Sequence, residues 1–165
     1  MIRAIVHADR EWGIGKNNDM MFSLPKDMKF FRETTLGNMV VMGGNTLRSF
    51  PNGNPLKNRI NVVLSRTLAR EDCKIVRSYE ELKNAMKEAE TDVYVIGGGE
   101  VYRELLPYCD EVLVTKVDAV GGASVFFPNL DEKPEFSCVY QSEPMEDNGL
   151  IILFTTYKNK AVQPL

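Results

Sequence analysis

Short apolar, β-branched runs alternate with stretches of helical periodicity along the chain. Strands are predicted at Ile2 to Ala8, Met39 to Met42, Ile60 to Ser65, Val93 to Ile96 and Glu111 to Val117, from their length and their Val and Ile content. Helical patterns cover Pro25 to Thr35, Tyr79 to Ala89 and Gly99 to Leu106. This rhythm predicts a single-domain α/β fold with a mostly parallel sheet flanked by helices. Glu135 to Gln141 and Leu150 to Tyr157 flank Glu143-Pro144-Met145-Glu146-Asp147-Asn148-Gly149, whose Asn-Gly and acidic residues predict a turn between antiparallel strands. The sheet is therefore expected to be mixed, closed by a C-terminal antiparallel hairpin. Three loops are long enough to be functional: Trp12 to Ser23, Pro51 to Asn58 and Asp118 to Phe127. The domain is expected over residues 1–158, with a polar tail at 159–165 that frays.

One residue breaks the pattern. Positions 24, 27, 28 and 31 share a helical face; three are Leu24, Met28 and Phe31, and the fourth is Asp27. A carboxylate among such neighbours loses hydration, so a bound partner must stabilise its ionised form or its affinity for a proton must rise. Either suits a ligand site. The plainer reading turns the helix slightly, leaving Asp27 on a solvated face with Lys26 and Lys29, or as a first-turn acid favoured by the helix dipole.

Two glycine clusters follow predicted strands. Gly97-Gly98-Gly99 leads into Glu100-Val101-Tyr102, and Gly43-Gly44 leads into Asn45-Thr46. A strand, a glycine turn and a helix start aim backbone N–H groups at a phosphate. Neither cluster matches G-x-G-x-x-G or the P-loop, and such turns also serve only to let a strand meet a helix closely. Two of them at strand ends in one sheet strengthen the ligand reading. Arg66 follows one strand and Arg59 precedes it, so each is a candidate for phosphate or carboxylate, or else a solvated surface arginine.

The chain has 165 residues, 44% hydrophobic and 26% charged, enough for one domain with an ordinary core. A net charge of -3 with dispersed Lys and Arg makes nucleic acid a poor partner. The start Met-Ile-Arg-Ala-Ile-Val-His-Ala-Asp does not resemble a signal peptide and no apolar run is long enough to span a bilayer, so a cytoplasmic location is expected without membrane partners. Cys73, Cys109 and Cys138 lack disulfide or zinc spacing. His7 is the only histidine, which removes multi-histidine metal sites and Ser-His or Cys-His nucleophile pairs; no metal is expected.

Trp12-Gly13-Ile14-Gly15, Leu24-Pro25-x-Asp27 with Phe30-Phe31, Met42-Gly43 with Thr46, and Ile96-Gly97-Gly98-Gly99 with Val101-Tyr102 together resemble the dihydrofolate reductase family from Ile2 to about Tyr157. The resemblance implies NADPH-dependent reduction of 7,8-dihydrofolate to tetrahydrofolate, with hydride passing to pterin C6 and a proton to N5. It implies that Asp27, hydrogen-bonded to Thr115, binds the pterin 2-amino group and N3, with Met20 and Phe22 beside the reacting centre. Activity would fall as pH climbs past the value at which that carboxyl ionises. By the same resemblance, Ile5, Val6, Met28, Phe31 and Ile96 wall the pterin, Phe50 and Leu56 the benzoyl ring, and Arg59 pairs with the substrate's α-carboxylate. For NADPH, the implied set is Ile14, Gly15 and Met20 over the nicotinamide, Gly43, Gly44, Asn45 and Thr46 with Gly97, Gly98 and Gly99 around the pyrophosphate, and Ser65 with Arg66 near the 2′-phosphate. Val6, His7, Leu64, Ile96, Glu100, Val101 and Tyr102 complete it, and the Gly97–Gly98 bond is implied to be cis. A monomer is expected.

The chain departs from the family's pattern at several positions. Met21-Phe22 replaces the usual Pro-Trp, so an indole N–H that helps place a water is missing. His7 stands where a small residue is usual; the plainer expectation is a packed or solvent-facing side chain, the alternative a role near the ligand. Gly44 replaces a common basic residue, leaving Arg66 as the main reader of a 2′-phosphate. Glu100 at a helix start favours the dipole and disfavours phosphate. Ala123-Ser124-Val125-Phe126-Phe127-Pro128 lacks the family's Asp that holds the mobile loop. Two competing readings are a same-fold reductase of the riboflavin-pathway type and a nucleotide-binding module without catalysis.

Overall fold

Six strands run parallel in the order β7-β1-β6-β3-β4-β5 in the computed structural model, which describes residues 1–17 and 19–165. They are β1 (Ile2–Ala8), β3 (Met39–Gly43), β4 (Ile60–Leu64), β5 (Lys74–Val76), β6 (Val93–Val95) and β7 (Glu111–Val117). β11 (Leu150–Asn159) pairs antiparallel with β7, and both β9 (Phe136–Gln141) and β10 (Met145–Asp147) pair antiparallel with β11. A small separate sheet joins β2 (Gly13–Gly15) to β8 (Val125–Phe126). The helices are α1 (Pro25–Thr35), α2 (Gly44–Ser49), α3 (Tyr79–Lys87) and α4 (Gly99–Leu105).

Most predicted elements stand within one or two residues of the expected bounds, the margin within which helix and strand ends are defined. α2, β2, β5 and β8 were not predicted, each being too short to show a period. The segment 143–149 is not all turn. Met145–Asp147 continues the ladder against β11, and only Asn148 (φ 52°) and Gly149 (φ 82°) form the two-residue turn, whose positive φ values suit Asn-Gly. The tail is also pinned rather than frayed: Lys160 N–H donates to Glu135 O, Gln163 N–H donates to Pro107 O, and Leu165 packs on the core.

Alternation along β1 divides the core. Ala4 and Ala8 face a cluster with Val41, Val95, Leu105 and Tyr157 under α3 and α4, whereas Ile5 faces one with Val40, Met42, Val63 and Tyr94, against which Phe30 and Phe31 of α1 pack. The carboxyl ends of β1, β6 and β3 thus lie side by side, the position where open α/β sheets take ligands.

Candidate functional site

α1 begins at Pro25, whose fixed φ suits the first helical position. Asp27 in that first turn is buried, at 9% exposure. Thr115 Oγ1 donates to its Oδ1 at 2.6 Å, and His7 Nδ1 lies 3.3 Å from its Oδ2. Both partners arrive by register. His7 on β1 stands opposite Thr115 on β7, and paired residues of adjacent strands point to one face. Phe154, opposite Thr115 on β11, extends that row to α1, where its ring centroid lies 4.6 Å from that of Phe30. His7 is packed, at 8% exposure, as the plainer expectation has it, and what it packs against is the Asp27 carboxylate.

Sequence reading missed the group that holds this turn in place. No side chain caps α1 from its own N-cap position, Leu24. Instead the buried Asp147 of β10 accepts from Lys26 N–H through Oδ1 and Oδ2 at 3.2 and 3.0 Å, and from Asp27 N–H through Oδ2 at 3.1 Å. Asn148 Nδ2 donates to Ser23 O, and Lys26 Nζ donates to Glu146 O, so the hairpin tip grips the helix start. The available signal was an α1 start with orphan N–H groups and an apolar residue, Leu24, at the N-cap position.

The predicted apolar wall assembles in part. Ile5, Phe31, Phe50, Leu56 and Ile96 belong to one cluster. Met28 lies at 37% exposure at the edge rather than within the buried face, because Asp27 and Thr35 are the residues α1 buries. Val6 does not join: it packs with Ile14 on the other cluster, since alternation sends it to the opposite face from Ile5. Arg59 is not free in solvent. Its Nε donates to Thr35 Oγ1 at 2.8 Å, Nη2 to Arg32 O at 3.0 Å and Nη1 to Lys57 O at 2.8 Å. Burial and then the nearby Arg32 guanidinium lower its affinity for the proton, so two cations converge at the C-terminal end of α1.

At the carboxyl ends of β3 and β6 the two glycine turns touch. Gly43 N–H donates to Gly97 O at 2.9 Å, the Gly97–Gly98 peptide is cis, and Gly97 has φ 128°. A Cβ at Gly97 would meet Thr46 Oγ1 at 3.4 Å, so the hydroxyl opens onto this backbone cradle. A Cβ at Gly44 would lie 3.3 Å from Leu68 and 3.5 Å from Ser65, which brings the start of α2 beside the turn after β4. β4 ends at Leu64, half-buried on the core, and the turn holds Ser65, whose Oγ accepts from Thr67 and Leu68 N–H, and the exposed Arg66. Arg77, unpredicted, donates to Ser65 O at 2.8 Å and adds a second guanidinium there. Val101 and Tyr102 are buried, with Tyr102 Oη donating to Ile5 O at 2.7 Å. Asn45 is exposed, its Oδ1 accepting from Arg48. Glu100 lies close enough to Tyr79 to help raise that phenol, behind burial as the larger cause, to about 12.

The two long loops are tied together. Gly15 pairs with Val125, Ser124 N–H donates to Gly15 O at 2.9 Å, and a Cβ at Gly99 would strike Val125 at 2.6 Å. A buried carboxylate at the end of β1 also joins these loops. Buried Asp9 accepts from Glu11 and Gly13 N–H through Oδ1 at 2.9 and 2.8 Å, and from Gly121 N–H through Oδ2 at 2.9 Å. Met20 is 52% exposed, while Phe22 packs with Leu24 and Val117, and Gly121 closes onto Met21 and Phe22.

Fold and site together define an α/β protein that takes a ligand across the carboxyl ends of its parallel strands. The family profile described as dihydrofolate reductase matches residues 1–159. A dihydrofolate reductase from Haemophilus influenzae is 37% identical over 72% of this chain and 72% of its own, and one from Bacillus subtilis is 34% identical over 80% and 78%. A bifunctional dihydrofolate reductase-thymidylate synthase from Arabidopsis thaliana is 36% identical over 94% of this chain, which spans only 34% of that protein. Among solved structures, a dihydrofolate reductase from Enterococcus faecalis complexed with NADP(H) and RAB-propyl superposes with a TM-score of 0.87 at 30% identity, covering 96% of both chains. The chain belongs to the dihydrofolate reductase family.

Proposed function

We propose that this chain reduces 7,8-dihydrofolate to 5,6,7,8-tetrahydrofolate with NADPH, adding hydride at pterin C6 and a proton at N5. The observation that carries the reading is Asp27, a carboxylate buried at the start of α1 with one oxygen held by Thr115. An ionised carboxylate has about four acceptor positions, so it keeps lone pairs for two N–H donors of a pterin. Ile5, Phe31 and Ile96 exclude water from that contact, which strengthens it. Phe50 and Leu56 continue the apolar wall, and Arg59 beside Arg32 suits an anionic tail.

The cofactor side fits on its own chemistry. The cradle of Gly43, Gly44, Gly97, Gly98 and Gly99 with Thr46 accepts a pyrophosphate, and Ser65, Arg66 and Arg77 face a 2′-phosphate. Asn45, Leu64, Glu100, Val101 and Tyr102 frame that cradle, and Ile14, Gly15 and Met20 stand on the loop next to it. NADPH, when bound, supplies the hydride. Asp27 orients the acceptor ring and holds its proton-bearing edge, while Thr115 fixes the carboxylate and Phe22 fills the side where Met21 packs. We further assign residues 1–158 to the catalytic domain, with a monomeric, cytoplasmic state and no nucleic-acid partner. Among the described residues no helix is long and apolar enough to cross a membrane.

A same-fold reductase of the riboflavin-pathway type is disfavoured by the paired Arg59 and Arg32, which suit a carboxylated tail. Asp27→Asn is expected to lower turnover by roughly 10² to 10⁴ near neutral pH, the range for a lost acid–base group. Following NADPH oxidation with and without dihydrofolate measures this, and full activity in the variant rejects the assignment.

A further inference from the structure

We propose that His7 is a positioning residue for Asp27, clamping the carboxylate through the oxygen that Thr115 does not engage; the proposal rests on Asp27 being the group that grips the substrate. Three observations carry it. His7 Nδ1 lies 3.3 Å from Asp27 Oδ2 while Thr115 Oγ1 donates to Oδ1, so each oxygen is engaged by a different strand. The imidazole is more than nine-tenths buried, and its Nε2 is enclosed with no protein partner among the described residues. The Phe22 ring lies 6.1 Å away, so an apolar aromatic fills the other flank.

The chemistry follows from the donor set. A carboxylate only accepts, so the neutral ring must carry its proton on Nδ1 to bond Oδ2. Two donors on opposite oxygens fix rotation of the carboxylate, and its remaining lone pairs then have one direction available. With Nδ1–H given to Asp27, Nε2 is an acceptor when the ring is neutral and a donor when it is protonated. His7 therefore sets a second exchangeable proton one bond from Asp27, on the flank where Phe22 has none to offer. The titratable group that a packed element brings to it is Asp27 from α1. Lys116, next to Thr115 along β7, turns to the other face under Trp12 and Tyr157.

Because His7 is the sole histidine, its ring nitrogens are unambiguous in a ¹⁵N-histidine-labelled protein. Long-range ¹H–¹⁵N spectra of the unmodified chain and of Asp27→Asn are expected to show the proton on Nδ1 in the former and displaced ring resonances in the latter. Kinetically, His7→Ala is expected to lower kcat/KM for dihydrofolate on the order of 10- to 10²-fold, the scale of a misplaced reacting group, and to change the shape of the pH profile. His7→Gln, which retains an N–H donor, is expected to recover part of that loss. Ring resonances indifferent to Asp27→Asn, or a His7→Ala enzyme with unaltered kcat/KM and pH profile, overturn the proposal. If Asp27→Asn is inactive while His7 is indifferent, only the positioning role falls; if Asp27→Asn is fully active, the reading of the site falls with it.

Discussion

Asp147→Ala tests whether the catalytic turn is held from 120 residues away. The carboxylate accepts from Lys26 N–H at 3.0 and 3.2 Å and from Asp27 N–H at 3.1 Å while itself only 2% exposed. A lost N-cap costs about 0.5–2 kcal/mol, and each buried N–H left without an acceptor about 1–3 kcal/mol. The Lys26 amide is partly buried and can recruit water, whereas the Asp27 amide is buried and cannot do so readily. The sum is therefore about 1.5–5 kcal/mol, or roughly 3–20 °C in Tm for a chain of this size. Urea unfolding reads the stability term as a lower midpoint at unchanged slope. Displacement of the first turn also moves Asp27 away from Thr115 Oγ1, so kcat/KM for dihydrofolate is expected to drop about tenfold or more. Asp147→Asn, which keeps one acceptor, is expected to restore about half the stability. An Asp147→Ala protein within about 0.5 kcal/mol of the parent, the range of an ordinary surface change, and with normal kcat/KM refutes the reasoning.

Other substitutions and reagents probe the remaining parts of the site. Arg59→Ala is expected to raise the KM for dihydrofolate by about 1.5–3 kcal/mol, the worth of a charge-assisted bond, with kcat little changed; an unaltered KM rejects its role at the tail. Asp9→Ala removes the acceptor shared by the Gly13 and Gly121 amides, and hydrogen exchange at both is expected to accelerate by about tenfold or more. Acceleration at only one of them means that Asp9 does not couple the loops. Thiol labelling at pH 8 is expected to modify exposed Cys138 first, Cys73 more slowly because burial raises its thiol, and Cys109 only on unfolding, since burial pushes that thiol up to about 12. Rapid native labelling of Cys109 contradicts its placement.

Much of the architecture was legible because its elements carry their own periods. β1 and β7 were predicted at the bounds observed, and α1 ran from Pro25 to Thr35 as its apolar spacing indicated. α2 and β8, six and two residues long, left no period to read, whereas the short β6 was marked by its unbroken apolar run Val93 to Ile96. β10 was concealed by turn-forming residues, because Asn148-Gly149 marks the turn but not where the ladder into it begins.

Asp27 stood out along the chain itself, because a carboxylate on an apolar helical face conflicts with its neighbours wherever the helix packs. The glycine turns did as well, since their spacing after strands is local. His7, Asp9 and Asp147 were beyond that kind of reading: each acts on residues brought near by strand register or by a hairpin, and a buried polar side chain must bond whatever partners the fold places beside it. Local periodicity thus set the elements and flagged the buried acid, while pairing between distant strands chose which neighbours hold it.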